Sequence, residues 1–231
     1  MKNIKIFGTA IWAILCMVSC VNELDNYNPP NGGIKGNILD AETNEPIPLP
    51  VQGSTGAIIN LFELHTDATM SVDFYAKYDG TYEHTKVFNG EYNVVVNGPF
   101  VNPCEGKVTI KGQTTFDLNA TPYARINASA SALGTSVSIQ YNVAKTNTSF
   151  NVSEVYGYWN FAPGVDNGSA NYAGKVTVRE TSGTITFDLG NDNNYKNNLY
   201  KIQSNGNKIY VRIGAKTENV INYSTILMVV L

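Results

Sequence analysis

The chain has 231 residues, with 16 Lys+Arg against 19 Asp+Glu, a formal net charge of −3, and 43% hydrophobic residues. Its cations are scattered, with no basic stripe or block of like charge, which argues against nucleic acid as a partner. Short apolar runs rich in Val, Ile and Tyr alternate with Gly, Asn and Pro clusters. No segment beyond the chain start shows a period near 3.6, so the expected fold class is all-β.

Lys2 and Lys5 precede an apolar run at 6–18, short for a membrane span and suited to an export signal. The run ends at Met17-Val-Ser-Cys20. A small residue before a cysteine at this distance resembles the lipobox of bacterial lipoproteins, in which the cysteine is acylated after cleavage. The resemblance implies a signal peptide at 1–19 and lipidation at Cys20, with the outer membrane as a partner through the acyl chains. Cys16 fits poorly, because bulky Leu15 precedes it. Each buried acyl methylene contributes about 0.8 kcal/mol, so two or more chains hold where one would not. Loss of the signal leaves 14 basic against 19 acidic residues, a formal charge of −5. The acids in Asn22-Glu-Leu-Asp25 resemble the surface-export signal of Bacteroidetes lipoproteins, which implies a location facing the cell exterior. The Pro/Gly/Asn run that follows reads as an extended tether over 20–32, reaching at most ~45 Å.

The first folded unit opens with alternation in Ile34-Lys-Gly-Asn-Ile38. Prolines in Glu45-Pro-Ile-Pro-Leu-Pro50 are too dense for a central strand, so this segment reads as a loop or an edge. Strands are expected at 58–64 and 70–77, then around two turns in Tyr78-Asp-Gly-Thr-Tyr82 and Phe88-Asn-Gly-Glu-Tyr92. Asp79-Gly80 and Asn89-Gly90 are the pairings that tight turns use. Tyr92, Val94 and Val96 then alternate with Asn93, Val95 and Asn97, a strand with one buried face. Segments 107–111 and 114–118 finish the unit. A Gly-x-Ile start, Glu-Pro-Ile, Asp-Gly-x-Tyr and Gly-x-Tyr-x-Val, in that order, resemble the carboxypeptidase-regulatory (transthyretin-like) domain over 33–118. The resemblance implies a seven-stranded antiparallel sandwich of the Ig-like kind, without an active site of its own.

Asn119-Ala-Thr-Pro-Tyr123 is a short junction, so the two units are expected to touch. Seven candidate strands follow, at 124–130, 136–143, 152–161, 175–180, 184–189, 208–216 and 224–230. They read as a second Ig-like sandwich over 119–231. Tyr210-Val-Arg-Ile-Gly-Ala215 and Asn222-Tyr-Ser224 resemble the last two strands of a fibronectin type III domain. One departure matters. In that family a tyrosine begins the inward row of the penultimate strand, whereas here Ile209, Val211 and Ile213 form it. Tyr210 and Arg212 are therefore expected to face out. The same alternation at 152–161 sends Val155, Trp159 and Phe161 inward and Tyr156 and Tyr158 outward. Trp159 reads as a core residue.

Lipobox, tether and two sandwiches together resemble a two-domain family of Bacteroidetes outer-membrane lipoproteins encoded beside starch-utilisation-type glycan uptake systems. The resemblance implies a non-catalytic accessory that binds carbohydrate. The expected ligand-binding patch is Tyr156, Tyr158, Tyr210 and Arg212, extended by Tyr172 from the adjoining loop. The alternative is a structural module docking onto an outer-membrane transporter or a neighbouring surface lipoprotein.

Nothing in the sequence assembles a catalytic or metal site, and no cofactor is expected. His65 and His84 are the only histidines, and Glu63 with His65 falls short of the three or four ligands a metal needs. Asn191-Asp-Asn-Asn194 lacks the spacing of a calcium loop and reads as a plain turn. Cys104, in Asn102-Pro-Cys-Glu-Gly106, reads as a structural turn residue. Paired carboxylates at glycosidase distance are a property of the fold and cannot be read from the chain.

Overall fold

The computed structural model describes residues 28–51 and 56–231. The expected export signal, the expected lipidation at Cys20 and most of the expected tether lie outside the described residues. Asn31–Leu231 form one compact unit, and within it two β-sandwiches follow one another.

The first sandwich contains β1 (Gly32–Asp40), β2 (Ile58–Glu63), β3 (Val72–Tyr75), β4 (Thr81–Val87), β5 (Gly90–Asn97), β6 (Cys104–Ile110), β7 (Gln113–Thr115) and β8 (Leu118–Ala120). One sheet has the order β4-β1-β7, with β8 also on β1, and the other the order β3-β2-β5-β6. Alternation explains the core. Ile34 and Ile38 of β1 face Ile59 and Leu61 of β2 and Tyr92, Val94 and Val96 of β5, all buried. The turn before β4 needs Gly80, whose φ is +84°. A Cβ there would also lie 2.7 Å from the Ile47 carbonyl oxygen.

Two expectations change here. The sandwich is not wholly antiparallel, because β1 runs parallel to both β7 and β8. The cause is where the chain must go. After β6 it turns at Gly112, beside Gly33, and must reach the end of β1 where the second sandwich begins, so β7 and β8 travel in the direction of β1. Cys104 is no turn residue: it opens β6 opposite Val96 and is buried. Desolvation pushes its thiol up to about 11, which leaves it a packing residue.

The second sandwich contains β9 (Ala124–Leu133), β10 (Ser136–Lys145), β11 (Val152–Asn160), β12 (Gly174–Val178), β13 (Ser182–Asp188), β14 (Lys208–Thr217), β15 (Val220–Tyr223) and β16 (Leu227–Val230). Its sheets are β13-β10-β9 and β12-β11-β14, with β15 and β16 both on the outer edge of β14. Val137, Ile139, Val155, Trp159, Ile209, Val211 and Ile213 form the core between them. Each of the seven anticipated runs forms a strand, and β15 is an eighth.

A helix, α1 (Asn193–Ser204), replaces part of what reads as loop. The stretch taken for a plain turn is a 3-10 turn, Leu189–Asn191, followed by the helix cap. Asp192 Oδ1 accepts from the Asn194 and Tyr195 amides, while its Oδ2 accepts from Trp159 Nε1 at 3.1 Å. The helix is rich in asparagine, a poor helix former, and Ile202 is its one buried residue. Its stability comes from the cap and from Tyr195 packing edge-on against Trp159, so no apolar stripe announces it.

The sandwiches are locked together at the junction. Arg125 Nε and Nη2 donate to the two carboxylate oxygens of Asp40 at 2.6 and 2.8 Å, and its Nη1 pairs with Glu42 at 2.7 Å. Buried Asn222 accepts from the Ala124 amide at 3.1 Å and donates to the Pro99 carbonyl at 2.8 Å.

Candidate functional site: a groove between the two sandwiches

The alternation predicted for β11 and β14 holds. Val155 and Trp159 point into the main core, as do Ile209, Val211 and Ile213. Tyr156, Tyr158, Tyr210 and Arg212 point from the other face, and the strands are neighbours that place Tyr158 opposite Arg212. That face, however, is not a solvent-exposed patch. The loop 161–173 folds back across it, so that Tyr156, Tyr158, Val165 and Tyr223 form a second small core. Tyr172 and Tyr210 pack at its margin. Tyr158 and Arg212 have no exposed surface at all, and Tyr156 retains 6%. The expected stacking platform is corrected accordingly. Periodicity says which way a side chain points; it says nothing about what covers it.

Hydrogen bonds hold the covering loop down. Tyr158 Oη donates to Asn167 at 3.1 Å, and the Asn167 amide donates to Tyr223 Oη at 3.2 Å. Asp166 accepts from the Gly168 amide and Asn171 within the loop, and from the Val51 amide of the first sandwich at 2.7 Å. Arg212 donates through Nε to the Ser224 carbonyl at 2.7 Å and through Nη1 to the Val165 carbonyl at 3.0 Å. Its guanidinium lies 4.6 Å from the centre of the Tyr223 ring. Desolvation draws the Arg212 pKa down to about 10, with Tyr223 and Asp166 opposing it, so the cation persists at neutral pH. Desolvation raises the Tyr158 phenol far above its ordinary value. With no exposed surface, Tyr158 and Arg212 brace the loop from beneath.

Tyr210 is placed differently. It borders a cavity of about 780 Å³ between the sandwiches, with Glu45, Ile47, Tyr78 and Asp79 on the first-sandwich side and Arg125, Asn127, Tyr210 and Met228 on the second. Tyr78 and Met228 are 42% and 53% exposed. The tight turn after Tyr78 fixes that wall: the Tyr78 carbonyl accepts from Leu49 at 2.9 Å, and Asp79 Oδ1 accepts from the Thr81 amide and hydroxyl. The opposite wall is fixed by the pairing of Tyr210 with Asn160 and Met228 across β14.

The Arg125–Asp40 pair also lines this groove. Burial pushes the Asp40 carboxyl up, but hydrogen bonds from Arg125 and the Glu42 amide, with the Arg125 charge, outweigh it and hold the group below its ordinary value. A glycosidase general acid must keep its proton near neutral pH, so its environment must push the other way. Glu45 and Asp79 are exposed. The groove therefore carries carboxylates without a buried one that holds a proton.

The remaining candidates come apart. Among the described residues no group of three or more His, Cys, Asp or Glu could hold a metal ion. Glu63 accepts from Thr66, while His65 lies beyond β2, its Nδ1 3.1 Å from the Glu91 carbonyl oxygen and its ring edge-on to Tyr92. A second cavity of about 460 Å³, lined by Asn97, Asn167 and Asn219, shares the Tyr223 wall with the groove. Of the residues lining this groove, sequence reasoning singled out Tyr210 and not Tyr78, Asp79, Arg125 or Met228. Tyr78-Asp79-Gly80 was singled out as a turn, and nothing in the chain says which end of a sandwich meets its neighbour.

Two family models account for the arrangement. Residues 32–121 match the N-terminal domain of DUF3823, a protein of unknown function, and residues 123–227 match DUF3823_C, a domain of unknown function. The chain belongs to the DUF3823 family. Crystal structures of DUF3823 proteins share its fold. One from Parabacteroides merdae has a TM-score of 0.72 at 20% identity, covering 87% of this chain and 100% of that one. One from Bacteroides ovatus has a TM-score of 0.70 at 20% identity, covering 86% and 98%. A Bacteroides uniformis protein, described as a candidate carbohydrate binding protein, has a TM-score of 0.66 at 21% identity, covering 87% and 100%. No curated protein matches. At these identities the likeness shows a shared DUF3823 fold.

Proposed function

We propose that this DUF3823 protein is a non-catalytic carbohydrate-binding lipoprotein of the outer bacterial surface, and that its glycan lies in the groove between the sandwiches. The observation that carries the reading is the pair Tyr78 and Tyr210, contributed by different sandwiches to one cavity. Sugars present C–H faces that pack on phenol rings, and their hydroxyls need acceptors such as Glu45, Asp79 and the Asn127 amide. Association with a glycan uptake system fits this role. So does the fold shared with the Bacteroides uniformis protein. The chain enters the first sandwich at Gly32, nine residues of extended strand from the Asp40 end where the groove lies, or ~30 Å.

Glycan-array screening of the purified protein, followed by isothermal titration of a hit, tests the proposal. Tyr78→Ala and Tyr210→Ala should each weaken binding, and unchanged affinity in the double variant would remove the groove as the site.

A second reading rests on β3. Among the described residues it pairs only with β2, which leaves its other edge open, and Met70, Val72 and Tyr75 on or beside it are 82%, 37% and 39% exposed. Such an edge suits docking onto an outer-membrane transporter or a neighbouring lipoprotein. Outer-membrane pull-down with a Val72→Lys variant distinguishes it: loss of partners, with no sugar bound by the unaltered protein, would favour docking.

A further inference from the structure

We infer, building on the groove reading above, that the site takes uncharged oligosaccharides and rejects anionic ones such as uronates and sulfated sugars. The argument lies in how the groove's charges are already used. Three carboxylates line it, Asp40, Glu45 and Asp79, against a single cation, Arg125. Arg125 is already paired: Nε and Nη2 grip Asp40 in a two-pronged contact and Nη1 holds Glu42, so two carboxylates offset its charge. An incoming carboxylate or sulfate would meet a cation already neutralised by two carboxylates, and turning the guanidinium toward it would break a bidentate, charge-assisted contact that also joins the two sandwiches.

Arg212, on the same strand as Tyr210, offers nothing to a ligand in the groove. It is completely buried beneath Tyr223, with Nε and Nη1 bonded to the Ser224 and Val165 carbonyls and Nη2 enclosed without a partner. The unspent charged groups of the groove are acceptors. Glu45 is exposed, and the hydrogen bonds of Asp79 both end on Oδ1. Ionised carboxylates accept hydrogen bonds and donate none, so they match hydroxyl-rich ligands and repel ligand anions. The substrate class is therefore a neutral glycan held by ring stacking on Tyr78 and Tyr210 and by hydroxyl donation to Glu45 and Asp79.

The experiment is isothermal titration of the full protein against two oligosaccharide sets. The neutral set contains malto-, xylo-, manno- and galacto-oligosaccharides; the anionic set contains oligogalacturonate, alginate and chondroitin sulfate fragments. Tyr210→Ala reports whether binding occurs in the groove. Glu45→Gln with Asp79→Asn removes the two exposed charges and keeps side-chain acceptors. We expect a neutral member to bind, Tyr210→Ala to weaken it, and every anionic member to bind roughly tenfold more weakly or worse. The Glu45→Gln/Asp79→Asn variant should narrow that gap. An anionic member that binds as tightly as any neutral one, and is lost in Tyr210→Ala, would overturn the selectivity and leave the groove reading intact. Binding that ignores both Tyr78→Ala and Tyr210→Ala, or no binding by either set, would bring down the reading and the inference together.

Discussion

Tyr158 and Tyr210 project from the same face of one sheet, on adjacent strands, and meet opposite fates. Tyr158 lies under the loop 161–173 with no exposed surface, whereas Tyr210 borders a cavity shared with the first sandwich. Equal alternation thus yields a structural brace in one case and a candidate contact in the other. The difference is made by residues off the strand: Val165 of the following loop and Tyr223 cover Tyr158, while Tyr78 and Ile47 stand off from Tyr210 and leave room. An aromatic on an outward row acquires its role from its cover.

Substitutions that separate the two tyrosines test this contrast. Tyr158→Ala opens a cavity in a closed cluster and should cost about 3–5 kcal/mol, lowering the melting midpoint by roughly 10 °C. A shift as small as that of Tyr210→Ala would show that the loop does not pack as described. Arg212→Met keeps volume but strands the Ser224 and Val165 carbonyls, and chemical denaturation should register a loss of about 3 kcal/mol.

Asp40→Asn probes the floor of the groove and should cost about 1–2 kcal/mol at neutral pH, because the pair is only partly buried. The pH dependence has a definite sign. The Asp40 pKa is depressed in the folded protein, so its contribution is present above the ordinary aspartate value and lost as pH falls through the lowered one. The unaltered protein should lose this increment below about pH 4, and Asp40→Asn should show a flatter acid limb in denaturation curves. Tyr210→Ala should change stability least, by less than about 1 kcal/mol, because the side chain is only half-buried. Its effect belongs in binding.

Much of the architecture was legible in the sequence. Ile34, Val94, Val96, Trp159 and Val211 are buried where alternation puts them, because a strand's period of two depends on local geometry alone. What failed depends on contacts between distant segments. The parallel pairing of β1 with β7 and β8 follows from where the second sandwich begins, and α1 rests on a cap and a tryptophan, not on an apolar stripe. The site divides along the same line. Tyr210 is legible as an outward-facing residue because it sits on a readable strand. Its partner Tyr78 was noticed only as the start of a turn, since the meeting of two domain ends leaves no periodic trace. Arg125 was missed because Asp40, its ion-pair partner, is 85 residues away.

Hydroxyl-radical footprinting with mass-spectrometric readout, with and without a neutral oligosaccharide, probes the groove most directly, since an exposed methionine and an exposed tyrosine outside it serve as internal standards. Bound glycan should protect Tyr78, Tyr210 and Met228 from oxidation and leave Met70 and Tyr200, which are 82% and 65% exposed, unprotected. Protection of Met70 or Tyr200, with Tyr78 and Tyr210 oxidised as before, would contradict the account.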